Sequence, residues 1–162
     1  MNARKYAHLH VAFALLFGGG LLLHLDHGGR GDWDYHTAWA LAARRTVLDF
    51  HQWPAWNPWH CGGMVSAANL QSRAWSPSLL LVLPFGEVLG NRLWALLMLA
   101  AGFLGTRRLA CELGAGRWGA LFAALLFAGH GGVFLHLAHG HLIGLPFLLI
   151  PAWMLGVRRS WS

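Results

Sequence analysis

Four long apolar stretches leave this chain few ways to fold. They cover residues 6–25, 88–104, 118–135 and 141–157. Each lies at or near the lower end of the roughly 17–25 residues that a helix needs to cross the hydrocarbon core of a bilayer. A water-soluble domain of 162 residues has no use for four separate segments of this kind. Composition agrees: 56% of residues are hydrophobic, only 11% are charged, and the mean hydropathy is +0.45. Ordinary soluble domains carry about 25% charged residues. The expected fold is therefore all-α, a polytopic transmembrane helix bundle of about four spans.

The charges sort by side. Arg4 and Lys5 precede the first stretch, Arg107, Arg108 and Arg117 lie between the second and third, and Arg158 and Arg159 follow the fourth. Only Glu112 opposes them. In segment 26–77, Arg30, Arg44, Arg45 and Arg73 balance Asp26, Asp32, Asp34 and Asp49, and Glu87 balances Arg92. The net charge of +6 thus falls on one membrane face. By the positive-inside rule that face is cytoplasmic, which places both termini on the cytoplasmic side of the membrane and segment 26–77 outside. No clustered basic face remains for nucleic acid. The run 6–25 exceeds a signal-peptide core of about 7–15 residues and is followed by Leu25-Asp26-His27 rather than a small-residue cleavage site, so it reads as an uncleaved anchor. Cys61 and Cys111 fall on opposite sides, and no internal disulfide is expected. For Cys61 a small buried residue is the plainer role.

Three parts follow: a first span at 1–25, an extracytoplasmic loop at 26–77, and a membrane region at 78–162. Gly18-Gly19-Gly20 permits close approach or a kink in the first span. Pro146 and Pro151 predict a kink in the fourth. The apolar stretch 79–85 is too short to cross and is expected to lie in the interface or re-enter. The loop holds six of the ten tryptophans, a residue that favours the headgroup layer, so it should lie along the outer membrane surface. Within it, 35–51 reads as an amphipathic interfacial helix. Trp39, Ala43, Val47 and Phe50 form an apolar stripe, Asp34 is the expected N-cap, and Trp53-Pro54 marks the limit.

Several constellations can carry chemistry. Asp32 and Asp34 place two carboxylates at the outer surface beside aromatics, suited to a general base or to holding a divalent cation, but also to helix capping. No cofactor is required by the sequence. The block Trp56-Asn57-Pro58-Trp59-His60-Cys61-Gly62-Gly63, followed by Asn69 and Gln71, combines aromatics that stack on sugar rings with amides that bond hydroxyls. Its glycine pair can bring backbone N–H groups to an anion. A packed loop anchored by tryptophan is the equal alternative. His130, His136, His139 and His141 can ligate zinc, copper or haem, or can simply sit at helix ends. Arg44, Arg45 and Arg73 can hold a lipid phosphate or pair with the loop aspartates.

Taken in order, Gly31-Asp32, Pro54-x-Trp56-Asn57-Pro58, Gly62-Gly63, Ala68-Asn69, Gln71-Ser72, Pro77, Arg107-Arg108-Leu109 and the segment 120–141 resemble the N-terminal part of the bacterial GT-C glycosyltransferase superfamily, in particular its YfhO-type group. The resemblance implies transfer of a sugar from a polyprenyl-phosphate-linked donor on the extracytoplasmic side. It implies that Asp32 is the essential acid of the first outer loop, with Asp34 second. One of Arg44, Arg45 or Arg73 would neutralise the phosphate leaving group, and Trp56, Asn57, His60, Gly62, Gly63, Asn69 and Gln71 would line the substrate site. Val65 and Leu70 stand where such proteins have proline. Members are also several times longer, so this chain is expected to be a truncated frame, a fragment or one part of a split complex with a partner membrane subunit. A non-catalytic membrane subunit and a haem- or metal-binding membrane protein are the alternatives.

Overall fold

A computed structural model describes residues 19–22 and 31–161. Residues 19–22 are helical; the rest of the expected first span, with Arg4, Lys5 and Arg30, lies outside the described residues. The described chain is mostly helical: α1 Asp32–Leu48, α2 Leu79–Phe85, α3 Glu87–Glu112, α4 Arg117–Ala128, α5 Gly131–His139 and α6 Ile150–Ser160, with a 3-10 helix at Leu142–Leu149. Among the described residues, three helical stretches are long and apolar enough to cross a membrane: Glu87–Glu112, Arg117–His139 and Leu142–Ser160. The chain divides into two compact units, one holding 96–131 and 146–161, the other 31–95 and 132–145.

In the second unit, α1 starts three residues earlier and ends three residues sooner than the 35–51 expected. Gly31, with φ +66°, precedes the helix, so Asp34 is not the N-cap; it sits in the first turn with Asp32. Both carboxylates still face the positive end of the helix dipole. Phe50 lies beyond the helix and is exposed, so it does not extend the apolar stripe. The buried face consists instead of Trp33, His36, Trp39, Ala40, Ala42, Ala43 and Thr46. Its small residues admit α2 closely: Ala40 and Ala43 pack on Leu79 and Val82, with Leu83 beside them. Arg44 Nε donates to the Leu83 carbonyl at 3.2 Å, tying the two helices.

Between α1 and α2 the loop is built around a two-residue antiparallel hairpin, β1 Trp56–Asn57 against β2 Met64–Val65, a departure from the all-α expectation. The register pairs Trp56 with Val65 and Asn57 with Met64. Asn57 is buried, and its Oδ1 accepts the N–H of Trp59 at 3.0 Å, the side-chain turn that Asn-Pro sequences favour. Ser72 Oγ donates to the Ser66 carbonyl at 2.5 Å and fastens the far side of the loop. Cys61 is exposed with φ +49°, not buried as expected, and both cysteines are free.

In the first unit, Gly102 and Gly105 allow close packing: a β-carbon on Gly102 would lie 3.0 Å from Leu148 Cδ2, and one on Gly105 would lie 3.0 Å from the Ala152 nitrogen. Small residues let helices approach in just this way where lipid supplies no hydrophobic drive. Arg159 bonds the Glu112 carboxylate through Nε at 2.9 Å and also through Nη2, and Arg158 Nη2 donates to the Glu112 carbonyl at 3.4 Å. The expected kink in the last span takes a specific form. The segment around Pro146, which lacks an N–H, winds as a 3-10 helix. The α-helical winding resumes with Pro151 in the first turn of α6, a position where proline costs nothing. The third span is also interrupted, at Gly129-His130 between α4 and α5.

Candidate functional site

Asp32 stands at the exposed start of α1. Its Oδ2 lies 3.5 Å from Nε2 of His141, with the two side chains 55% and 43% exposed. The start of α1 is held there by Trp33, whose indole N–H donates to the Leu137 carbonyl of α5 at 2.7 Å. Two glycines permit this crossing. A β-carbon on Gly31 would lie 2.8 Å from the His139 carbonyl oxygen, and one on Gly140 would collide with the Trp33 nitrogen. Asp34 is exposed two positions along the helix. Residues at that spacing do not face each other, so the two carboxylates do not form a joint site.

One turn after Asp32 comes His36, which is buried. Desolvation pushes its imidazole from the ordinary 6.5 to about 4. The charge of Arg73 adds to the lowering, Asp32 opposes it, and His141 adds a little more. His36 is therefore neutral at pH 7 and lies within the electrostatic reach of an acid, a base and a guanidinium. Arg73 is itself buried, and loss of water lowers its guanidinium to about 10, so it stays charged at neutral pH. Its Nη1 donates to Ser78 Oγ at 3.0 Å. Its Nε and Nη2 have no acceptor among the described residues, nor does His36 Nδ1 have a partner there. A buried guanidinium with free donors is a strong attractor for a planar or tetrahedral anion.

On the flank of α1 a cleft of about 250 Å³ is lined by Tyr35, Trp39, Arg45, Asn57, Trp59 and His60, with small and aliphatic residues completing its wall. The aromatic walls are mutually braced: His60 lies 5.4 Å from Trp39 and 6.5 Å from Tyr35 between ring centroids. Tyr35 is fixed in turn by its hydroxyl, which donates to Gln71 Oε1 at 2.9 Å. Of the residues expected to bind substrate, Arg45, Asn57 and His60 therefore share this cleft, and Gln71 supports it from behind. Trp56 is exposed and lies against Gly63, whose missing β-carbon makes room for the indole ring. The Gly63 N–H is spent on the His60 carbonyl at 2.9 Å, closing a tight turn, so that N–H is not offered to an anion. Arg44 is committed to Leu83. Asn69 lines a second hollow with Ser72, Trp75 and Ser76, and its Oδ1 accepts the Gln71 N–H at 2.9 Å.

His36 was not among the sequence candidates. Its position four residues after Asp32, on the same helical face, is the signal that could have found it. The pairing of Asp32 with His141 across 109 positions has no such local signal. Among the described residues, no group of three or more His, Cys, Asp or Glu is arranged to hold a metal ion. Comparison with protein-family models, curated proteins and solved structures returns no match.

Proposed function

We propose that the chain is a membrane glycosyltransferase of the GT-C kind. It takes a sugar from a polyprenyl-phosphate-linked donor and passes it to an acceptor on the extracytoplasmic side of the bacterial inner membrane, with both termini in the cytoplasm. One observation carries the reading. An accessible carboxylate, Asp32, and a buried guanidinium with unfilled donors, Arg73, both act on the same imidazole, His36. Sugar transfer from a lipid phosphate needs those two charges: a base for the acceptor hydroxyl and a cation for the departing phosphate.

In this mechanism Asp32 accepts the acceptor's hydroxyl proton as the sugar's anomeric carbon is attacked. Arg73 stabilises the phosphate as its bond to the sugar breaks, with Arg45 at the rim of the aromatic cleft assisting. Neutral His36 adds no third charge to theirs. The cleft formed by Tyr35, Trp39, Trp59 and His60 offers flat faces for a sugar ring or an isoprenoid unit, and Asn57 is already used in its own turn. The exposed apolar faces of the candidate spans suit contact with lipid or with a partner membrane subunit that contributes further helices.

The test is transfer in proteoliposomes supplied with a polyprenyl-phosphate sugar. Asp32→Asn should lower transfer by roughly 10²-fold or more, the usual contribution of a positioned base, while the protein still expresses and inserts. Unchanged transfer in that variant overturns the reading, and absence of transfer by the parent chain, alone or with a partner, leaves a non-catalytic membrane subunit in its place.

A further inference from the structure

The end of α5 brings two imidazoles together through its backbone. Gly140 has φ +79°, the left-handed conformation of a helix stop. Its N–H donates to the Leu137 carbonyl at 3.2 Å, and the His141 N–H donates to the His136 carbonyl at 2.8 Å. These two bonds make a Schellman closure, which sets the side chain at the third position from the helix end against the one just past the glycine. That pair is commonly apolar. Here it is His136 and His141, with their Nδ1 atoms 2.9 Å apart. The other nitrogen of His141, Nε2, faces Asp32 Oδ2 at 3.5 Å. His139 lies 5.9 Å from His141 between ring centroids, but its Nδ1 is turned to the Leu135 carbonyl at 3.0 Å.

We propose that His136 and His141 form a binding site for a divalent transition cation of the zinc, nickel or copper class, with Asp32 as the carboxylate that orients His141. Imidazole nitrogen suits these ions. Two such ligands, each about 2.0–2.1 Å from a tetrahedral ion, stand about 3.3 Å apart, so the pair needs to open by only a few tenths of an ångström. The cation enters between the facing Nδ1 atoms, and His136 carries its remaining proton on Nε2. His141 keeps its proton on Nε2 and donates it to Asp32, the carboxylate–histidine–metal arrangement that fixes a ligand's tautomer. Only two protein ligands are present, so water completes the shell and the ion exchanges readily. The site stands on this geometry alone and does not depend on the transferase reading.

The test is calorimetric titration of Zn²⁺ into the full chain in detergent, purified without a histidine tag. The parent should take up one ion per chain. His136→Gln and His141→Gln should each weaken binding roughly tenfold or more, and Asp32→Asn should weaken it by about tenfold, the lower end for an orienting partner. His139→Gln should leave the affinity within about threefold, since its Nδ1 is not offered to the ion. X-ray absorption on the unmodified, zinc-loaded protein should count two imidazole ligands, which covers the case of a variant that fails to fold. No binding by the parent, equal binding in the His136 and His141 variants, or a count other than two overturns the proposal.

Discussion

The backbone of Gly140 lies against the backbone nitrogen of Trp33 with no space for a β-carbon between them. This contact, with the approach of Gly31 to His139 and the bond from Trp33 to Leu137, joins the stop of α5 to the start of α1, where Asp32 meets His141. Gly140→Ala combines that collision with a φ of +79°, which side chains avoid. The expected loss is roughly 1–3 kcal/mol, the scale of a forced left-handed residue. Gly119→Ala is the contrasting substitution. It lies in α4, where among the described residues a β-carbon would meet only a side-chain atom of Ala115 at 3.8 Å, and it should stabilise by about 0.5–1 kcal/mol. Thermal unfolding of both variants in detergent checks the pair.

Trp33→Phe keeps a buried ring of similar bulk but removes the donor to the Leu137 carbonyl. The cost should be about 1 kcal/mol, that of one buried hydrogen bond. Because the bond spans the crossing, amide hydrogen exchange should rise at the start of α1 and near residues 137–141 together. Exchange confined to α1 would mean that the crossing does not depend on it.

His36 gives stability a specific pH dependence. Its proton affinity is lower in the folded state, about 4, than the ordinary 6.5 of the unfolded chain. Between those values the unfolded chain binds a proton that the folded chain does not. Stability from this group is therefore complete above pH 6.5 and declines as pH falls toward 4, by at most roughly 3 kcal/mol. The difference in denaturant stability between the parent and His36→Gln should shrink across that interval and level off below it. A difference independent of pH would show that His36 titrates normally.

Arg73→Met tests a trade between stability and chemistry. The guanidinium is buried, keeps its charge, and has two nitrogens without acceptors. Replacing such a charge by an apolar side chain of similar length is often neutral or stabilising by about 1–4 kcal/mol. The variant should unfold no more easily than the parent yet lose sugar transfer. A destabilised variant that still transfers would assign Arg73 to the scaffold.

Much of this architecture can be read from residue patterns, and the exceptions have physical causes. The second candidate span was legible because 88–104, in which only Asn91 and Arg92 are polar, is long and apolar enough to cross, and it lies within α3. The short helix at 79–85 was bounded by Pro77 and by Gly86 with φ +80°. The start of α1 was misplaced because Asp34 has the chemistry of a cap, whereas a strained glycine can end the preceding chain just as well. The hairpin around Trp56 and Met64 was hidden because strands of two residues carry no periodicity. In the candidate site, Asn57 and His60 came from one recognisable block, and Arg45 from the helix before it. The meeting of Asp32 with His141, and the burial of Arg73, depend on contacts that only the folded chain brings together.

The bond between Glu112 and Arg159 has a topological consequence. Two residues that touch at a bilayer surface lie on the same face of it. With that pair at a bilayer surface, the 46 residues between them cross the bilayer an even number of times. If all three candidate spans cross, 117–139 and 142–160 run in opposite senses, and 87–112 runs in the same sense as the last. A single impermeant tag at either end of this ion pair would report the sidedness of all three helices at once.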